Sequence, residues 1–258
     1  MTNGHAAVLG AIQGLAEFLP ISSSAHLALA PRLLGWEDQG LAFDVALHMG
    51  TLGALLLVFW RDWWELALDG LRRADTDRRR LFDALVVGTV PAAVAGLLLE
   101  HQAETVFRDP ARIAAALAAF GVLMAWADRR GAKDRGLPSA GMKDVVVVGL
   151  AQALAIVPGV SRSGITLTAG LLMGFDRVAA ARLSFLLAMP ITAGAGLHEA
   201  KKALPYLSDP SFWTGIAVSA LVGFAVIKGL LRLLTSRGLG WFAAYRVALG
   251  GVLLAFRG

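Results

Sequence analysis

The stretch Gln13–Pro31, QGLAEFLPISSSAHLALAP, places a carboxylate, three serines and a histidine inside an otherwise apolar run near the start of the chain. Ionisable groups inside a membrane are costly, and they usually face a wet, protein-lined cavity where they serve a function. The segment LPISSS, with its proline and hydroxyl residues, divides the run in two. The stretch is therefore explained if the chain around it lies in a membrane and this cluster lines a cavity.

The composition indicates an integral membrane protein. Of the 258 residues, 57% are hydrophobic and 17% are charged, and the mean hydropathy is +0.63. A soluble domain of this size would need more polar surface. The net charge of +5 does not indicate nucleic-acid binding, because the basic residues lie in short loops between apolar runs. The absence of cysteine excludes disulfides, thiolate metal sites and cysteine nucleophiles.

The apolar runs predict an all-α integral membrane protein with six transmembrane helices plus two re-entrant helical hairpins. Two apolar regions, 5–34 and 143–175, are each interrupted in the middle, so that each half is too short to span a bilayer. Short, interrupted segments of this kind indicate hairpins that enter and leave on one side. The runs long enough to cross are 43–60, 82–99, 112–127, 178–198, 211–231 and 241–256.

The basic residues predict the orientation. Sixteen lysines and arginines fall on the side of loops 61–80 and 128–143, and six fall on the other side. Because basic residues concentrate in cytoplasmic loops, both loops are predicted to be cytoplasmic and both termini to face outside.

An internal repeat relates the two interrupted regions. Counted from Gln13 and from Gln152, Ser22–Ser24 and Ser161–Ser163 fall at the same offsets. Three full spans follow each copy, so the second copy is inverted and the two hairpins can meet near the midplane. The alternative is a chance likeness between two segments rich in small residues. We predict a single membrane domain over 1–258, with repeat one at 1–130 and repeat two at 140–258.

The serines and Arg162 predict an anion site. Serine is a preferred N-cap, so Ser22–Ser24 and the pair Ser161 and Ser163 are predicted to open two short helices. The positive ends of two such helices form an anion site where they meet. Arg162 adds a permanent charge and a donor fork suited to phosphate, although a salt bridge to Glu17 would also explain it.

Glu17 and His26 are the candidate chemical groups of the opening stretch. Glu17 lies four residues after Gln13 on one helix face, where the two could hold Mg²⁺ or Ca²⁺. Glu17 could instead be a general base, orient a histidine, or be structural. His26 could activate a serine, attack phosphorus, protonate a leaving oxygen, or simply pack. In the later segment FDVALHMG, we interpret Asp44 as offsetting a helix dipole and His48 as a packing residue.

These motifs resemble the undecaprenyl-diphosphate phosphatases of the BacA type. Gln13 to Glu17 matches the family pattern E/Q-x-x-x-E, and FLPISSSAH is similar to its FLPVSSTGH. The second pattern, PG-x-SRSG, is present in full at Pro158 to Gly164. FDVALHMGTL at 43–52 and YR at 245–246 extend the resemblance over nearly the whole chain.

The resemblance implies an enzyme of the bacterial inner membrane that removes one phosphate from undecaprenyl diphosphate with a divalent metal. That reaction recycles the lipid carrier of cell-wall synthesis, and overproduction is linked to bacitracin resistance. The resemblance assigns Gln13 and Glu17 to the acidic pair that would bind metal, Ser23 and His26 to the nucleophile and its partner, and Arg162 to the diphosphate clamp. The expected substrate contacts are Ser22, Ser24, Ser161, Arg162, Ser163 and Gly164.

The chain departs from the family pattern at two places. Gln13 stands where glutamate is frequent, which removes one charge from a two-carboxylate metal site. Ala25 stands where glycine is common, so the turn before His26 is expected to be less flexible.

We expect hydrolysis at the outward-facing end of the cavity, with the lipid tail between the spans. The expected partners are the polyprenyl diphosphate and the bilayer, with a homodimer as the candidate assembly and no nucleic acid. The sequence leaves open whether Ser23, His26 or water attacks phosphorus. The alternative function is a polyprenyl-phosphate transporter or flippase, because inverted repeats with broken helices are also a transporter pattern. A purely structural membrane subunit ranks last, since it leaves the polar cluster unexplained.

Overall fold

The computed structural model describes residues 1–37 and 39–255. Within these ranges the chain forms eleven α-helices joined by short 3-10 turns and loops, without a β-strand. Arg257, which is one of the basic residues counted above, and the last residue of the predicted run 241–256 lie outside the described residues.

Five helices are long and apolar enough to cross a membrane, and they coincide with five of the six predicted runs. The sixth run forms α11, Gly240–Ala255, which is apolar but has only 16 residues. The chain is thus a multi-pass membrane protein, and a sixth crossing stays a prediction. A short helix, α5 (Glu100–Glu104), follows the second of the long helices. The five are α3 (Gly40–Leu71), α4 (Asp77–Leu98), α6 (Pro110–Arg130), α9 (Arg177–Ala203) and α10 (Pro210–Leu234).

The two interrupted regions form pairs of short helices, as predicted. Hairpin 1 consists of α1 (Asn3–Ala16) and α2 (Ser23–Leu34), and hairpin 2 of α7 (Met142–Ala153) and α8 (Arg162–Leu172). The longest of the four has 14 residues, which gives about 21 Å at a rise of 1.5 Å per residue. That length is short of the roughly 30 Å hydrocarbon core. The re-entrant path of the hairpins through the bilayer stays a prediction.

Each hairpin packs against a long helix from the other half of the chain. Helix α1 crosses α10, and α7 crosses α4. Both crossings bring glycines together: a Cβ at Gly10 would lie 2.5 Å from the carbonyl oxygen of Gly215, and a Cβ at Gly149 would clash with that of Gly88. Helices in a membrane pack through close contact between small residues. Lipid tails are as apolar as the side chains, so moving a side chain from lipid to a helix interface gains little hydrophobic free energy. The exchange between halves agrees with the predicted inverted repeat, which itself stays a prediction.

Helix α9 forms the centre of the molecule. Its segment Leu183–Met189 is buried throughout, between α3, α4 and α8. The outer surface is apolar instead: α4 exposes a row of valines, and α10 and α11 expose tryptophans and leucines. An apolar exterior around a core that contains polar residues is expected for a protein whose surrounding solvent is lipid.

Candidate active site

The second arm of each hairpin begins at a serine in an unusual backbone conformation. The residue before α2 is Ser22, with φ of 77°, and the residue before α8 is Ser161, with φ of 71°. Residues other than glycine adopt this region at a cost of about 1–3 kcal/mol, and they cluster at functional sites. The predicted opening of two short helices at these serines is therefore confirmed. Ser161 is a true cap, because its Oγ accepts a hydrogen bond from the N–H of Gly164 at 3.1 Å.

Hydrogen bonds join the tips of the two hairpins directly. The Ser22 Oγ accepts from the N–H of Gly159, in hairpin 2, at 3.1 Å. In the reverse direction, the Ser163 Oγ donates to the carbonyl of Leu19, in hairpin 1, at 3.2 Å. These serines therefore fix the two helix starts relative to each other.

Arg246 bonds to the backbone of both hairpin tips. It lies on α11 and its side chain is fully buried. Its Nη1 donates to the carbonyl of Pro20 at 3.3 Å, and its Nη2 donates to the carbonyls of Gly159 and Val160, both at 2.8 Å. Its Nε donates to the carbonyl of Leu117 at 3.4 Å. One guanidinium thus bonds to three carbonyls in the breaks of the two hairpins, those of Pro20, Gly159 and Val160, as backbone buried in a membrane requires.

The carboxylate of Glu17 is the point where the predicted site residues converge. Glu17 ends α1 and is 5% exposed. Its Oε1 accepts a hydrogen bond from the Nη2 of Arg162, across the two hairpins. Its Oε2 accepts from the Ser23 Oγ at 2.5 Å and from the Gln13 Nε2 at 3.0 Å. The structure therefore brings together four of the residues singled out from the sequence.

His48, on α3, also lies in this cluster. Its Nε2 lies 3.4 Å from the Glu17 Oε2, and its Nδ1 donates to the carbonyl of Asp44 at 2.7 Å. The Asp44 carboxylate in turn accepts from the Nη2 of Arg108 at 2.7 Å. We interpreted His48 as a packing residue, whereas it lies beside the cavity carboxylate. The available signal was a histidine one turn after an aspartate within an apolar span.

His26 lies away from this cluster. Its Nδ1 donates to the carbonyl of Ser22 at 2.7 Å, and its Nε2 accepts from the Tyr245 hydroxyl at 2.7 Å. With Tyr245 it lines a separate apolar groove between α1 and α11. The hydroxyl of Ser23 is paired with Glu17, not with His26, and the chemical role of His26 stays a prediction.

A cavity of about 340 Å³ opens in front of Glu17. Three of the six expected substrate contacts line it, namely Ser24, Ser161 and Arg162, and the Arg162 Nη1 is buried without a hydrogen-bond partner. The other three, Ser22, Ser163 and Gly164, lie behind the cavity wall at the joined tips. The polar residues lining the cavity are Glu17, Ser23, Ser24, Asp44, His48, Arg108, Gln152, Ser161, Arg162 and Thr192.

Gln13 and Glu17 do not form an open cation site in this arrangement. Gln13 presents its amide N–H to Glu17, and both Glu17 oxygens accept hydrogen bonds from donors that include the guanidinium of Arg162. The Gln13 Oε1 is buried without a partner and is therefore the one atom of the pair that is free to bind a cation. Hard divalent cations take six or more oxygen ligands, so the pair does not fit one as it stands.

Another group has spacing that could hold a metal ion, at the ends of α5 and α9. Glu100, His198 and Glu199 each offer a ligand atom, and these atoms lie within 4.8 Å of one another. The ammonium of Lys202 bonds to Glu100 at 3.1 Å and to Glu199 at 3.0 Å. Within this arrangement the single lysine bonds to both carboxylates and offsets one of their two negative charges. The sequence alone predicts no role for His198.

Comparisons with known proteins show the family of the chain. Residues 6–252 match the family profile described as bacitracin resistance protein BacA. The chain is 52% identical over 250 residues to an undecaprenyl-diphosphatase of Pelotomaculum thermopropionicum, covering 97% of this chain and 95% of the relative. It is 49% identical over 255 residues to an undecaprenyl-diphosphatase of Moorella thermoacetica, covering 99% and 98%. The chain therefore belongs to the BacA family.

Proposed function

We propose that this protein is a membrane phosphatase that hydrolyses undecaprenyl diphosphate to undecaprenyl phosphate and phosphate, and so recycles the lipid carrier of cell-wall synthesis. The observation that carries the proposal is the Ser23 hydroxyl donating to Glu17 while Arg162 holds that carboxylate from the opposite hairpin. A hydroxyl beside a base, with a guanidinium at hand, suits phosphoryl transfer. The relatives described above carry the name of the same activity.

The cavity suits the head of such a lipid. Small-molecule sites are typically about 300–1,000 Å³, and this one is about 340 Å³. That volume admits a diphosphate and the first isoprene units, so the remaining tail extends between helices into lipid. The Arg162 Nη1 and the helix start at Ser161 supply donors for the phosphate oxygens.

The chemistry follows from the order of the hydrogen bonds. The Ser23 Oγ attacks the terminal phosphorus while its proton passes to the Glu17 Oε2. The bridging P–O bond breaks, and undecaprenyl phosphate leaves with the electron pair and takes up that proton from Glu17. Water then attacks the phosphoserine, with Glu17 taking its proton and returning it to the Ser23 oxygen as phosphate leaves. Arg162 stabilises charge on the phosphoryl oxygens throughout.

Arg246 supports these groups away from the reacting atoms, whereas the His48 Nε2 lies 3.4 Å from the Glu17 Oε2 that takes the proton. His48 faces the Glu17 carboxylate and restricts its orientation, and Arg246 holds the backbone of both tips. We place the protein in the bacterial inner membrane with the cavity open to the outside, following the distribution of basic residues. A requirement for a divalent metal stays a prediction, although Gln13 and Glu17 do not fit one in this arrangement, and a homodimer also stays a prediction.

Phosphate release from purified protein in detergent tests the proposal. Undecaprenyl diphosphate is supplied with and without a chelator, and free phosphate is measured against time. We expect release from the wild type and a loss of about 10²–10⁴-fold in kcat for Ser23→Ala, with Ser236→Ala, in an exposed turn between α10 and α11, as the matched control.

The outcomes separate the candidate functions. A transporter releases no phosphate in detergent. If the wild type releases none, the proposal of a phosphatase is wrong. Wild-type kcat for Ser23→Ala would remove the serine nucleophile and leave direct attack by water. Loss of activity with chelator, restored by Mg²⁺ or Ca²⁺, would support the predicted metal.

A further inference from the structure

Gln152 lines the active-site cavity, and its buried side-chain amide is unpaired. It is the next-to-last residue of α7 and is 2% exposed. It lines the same cavity as Glu17, Ser23 and Arg162. Neither its Nε2 nor its Oε1 has a hydrogen-bond partner. Buried polar groups are nearly always paired, and an orphaned one needs an explanation.

The internal repeat explains why this amide is unpaired. Gln13 stands at the matching offset in the first copy, and its amide donates to Glu17, four residues later. Four residues after Gln152 the chain has Ile156, which also lines the cavity. The second copy therefore keeps the amide but lacks the carboxylate that would occupy it, and the free amide borders the cavity.

A second unpaired donor borders the same space. Arg162 uses its Nη2 for Glu17, while its Nη1 is buried without a partner. The Gln152 Nε2 is a neutral donor and the Arg162 Nη1 is a cationic one, and neither has an acceptor. A ligand with several anionic oxygens could supply both acceptors. A diphosphate has this chemistry, since each of its phosphates carries non-bridging oxygens that accept hydrogen bonds.

We infer that Gln152 is a substrate-binding residue whose amide N–H₂ donates to a non-bridging oxygen of the diphosphate, beside the oxygen that the Arg162 Nη1 binds. This inference rests on the proposed function. Because an amide is neutral, Gln152 orients the diphosphate without cancelling the charge that Arg162 stabilises. Its contact forms on substrate binding, so its loss is expected mainly in KM.

The test uses Gln152→Leu, which keeps the bulk of the side chain and removes its polar atoms. We expect phosphate release from undecaprenyl diphosphate to show kcat/KM lower by about 10- to 100-fold, chiefly through KM. Thermal unfolding in detergent should be unchanged or shifted upward, because an unpaired buried amide is removed. A structural role predicts the reverse pair of results, with lower thermal stability and unchanged KM.

Two further variants sharpen the test. Gln152→Glu places a carboxylate beside the diphosphate, and we expect KM to exceed that of Gln152→Leu. The matched control is Gln102→Leu, because the Gln102 Oε1 is also buried and unpaired but does not line this cavity. We expect the control to keep wild-type kinetics.

The failures are distinguishable. If the wild type releases no phosphate, the proposed function fails. If the wild type is active and Gln152→Leu or Gln152→Glu keeps the wild-type KM, only the role of Gln152 fails. Should Gln152→Leu not fold, Gln152→Met, with an unbranched chain of similar length, gives the same readout.

Discussion

The two terminal nitrogens of the Arg162 guanidinium have different partners, and this makes Arg162→Lys an informative change. One nitrogen holds Glu17 and the other is buried and unpaired beside the cavity. Lysine keeps the positive charge but carries a single nitrogen on a flexible stem, without the planar fork. It can therefore hold Glu17 or the substrate well, but not both in the arginine geometry.

The expected size of the effect follows from the lost contact. Hydrogen bonds to charged groups contribute about 1.5–3 kcal/mol each. Arg162 and Glu17 have side chains only 15% and 5% exposed, so solvent screens the contact little. At about 1.36 kcal/mol per factor of ten, the loss of one contact lowers kcat/KM by about 10- to 150-fold. Arg162→Ala is less informative, because it also leaves Glu17 buried without its cation, which costs about 3–5 kcal/mol of stability.

The assay is phosphate release from undecaprenyl diphosphate, with thermal unfolding measured on the same preparations. Arg182→Lys is the matched control: Arg182 donates to Asp62 at 2.6 Å and lies outside the active-site cavity. We expect the control to keep its kcat/KM and both variants to stay folded. A folded Arg162→Lys protein with kcat/KM within about threefold of wild type would refute the assignment of the free nitrogen to the substrate.

Two further predictions concern stability. Arg246→Met removes the donor to three carbonyls outside helices, those of Pro20, Gly159 and Val160. At about 1 kcal/mol or more for each orphaned carbonyl we expect a loss of at least about 3 kcal/mol, or roughly 6–12 °C in Tm. Arg135 and the N–H of Gly141 donate to Asp144, and the guanidinium hydrogen bond holds the pKa of Asp144 below its ordinary 3.8. The stability from this lowered pKa is present above pH 3.8 and lost as pH falls through the folded-state pKa. The wild type should therefore exceed Asp144→Asn by about 1 kcal/mol in the free energy of unfolding at pH 7. Below about pH 4 this difference, and the Tm difference that reports it, should shrink.

Each of these predictions can fail clearly. A Tm for Arg246→Met equal to that of the wild type would mean that the hairpin tips do not depend on its guanidinium. An equal Tm difference between the wild type and Asp144→Asn at pH 7 and at about pH 3 would mean that Arg135 does not favour the ionised carboxylate.

Much of the architecture could be predicted from the sequence because lipid imposes simple constraints. Apolar run length predicted the five long helices, and proline and hydroxyl breaks predicted the paired short ones. The predicted inverted repeat led us to expect the two hairpin tips to meet, and Arg162 does contact Glu17. The serine offsets predicted both helix starts, including Ser161 as a cap.

The parts that could not be predicted depend on neighbours from distant helices. The spacing of His26 and Ser23 in the sequence suggests that they form a hydrogen bond. In the structure His26 bonds to the hydroxyl of Tyr245 on α11, and Ser23 donates to Glu17. His48 reaches Glu17 from α3, which no local spacing reveals. Arg246 is visible in the sequence as a costly charge, yet its partners are backbone carbonyls, and these carry no residue-type signal.

The exchange of hairpins between the halves has a consequence for biosynthesis. Gly10 on α1 packs against Gly215 on α10, which the ribosome makes about two hundred residues later. At roughly 5–20 residues per second, the first short helix waits on the order of 10–40 s for its partner. During that interval Glu17 has its partners Ser23 and His48 from α2 and α3, but the chain still lacks Arg162 and the α10 surface on which α1 packs. We therefore expect hairpin 1 to take its final place only when the chain is nearly complete.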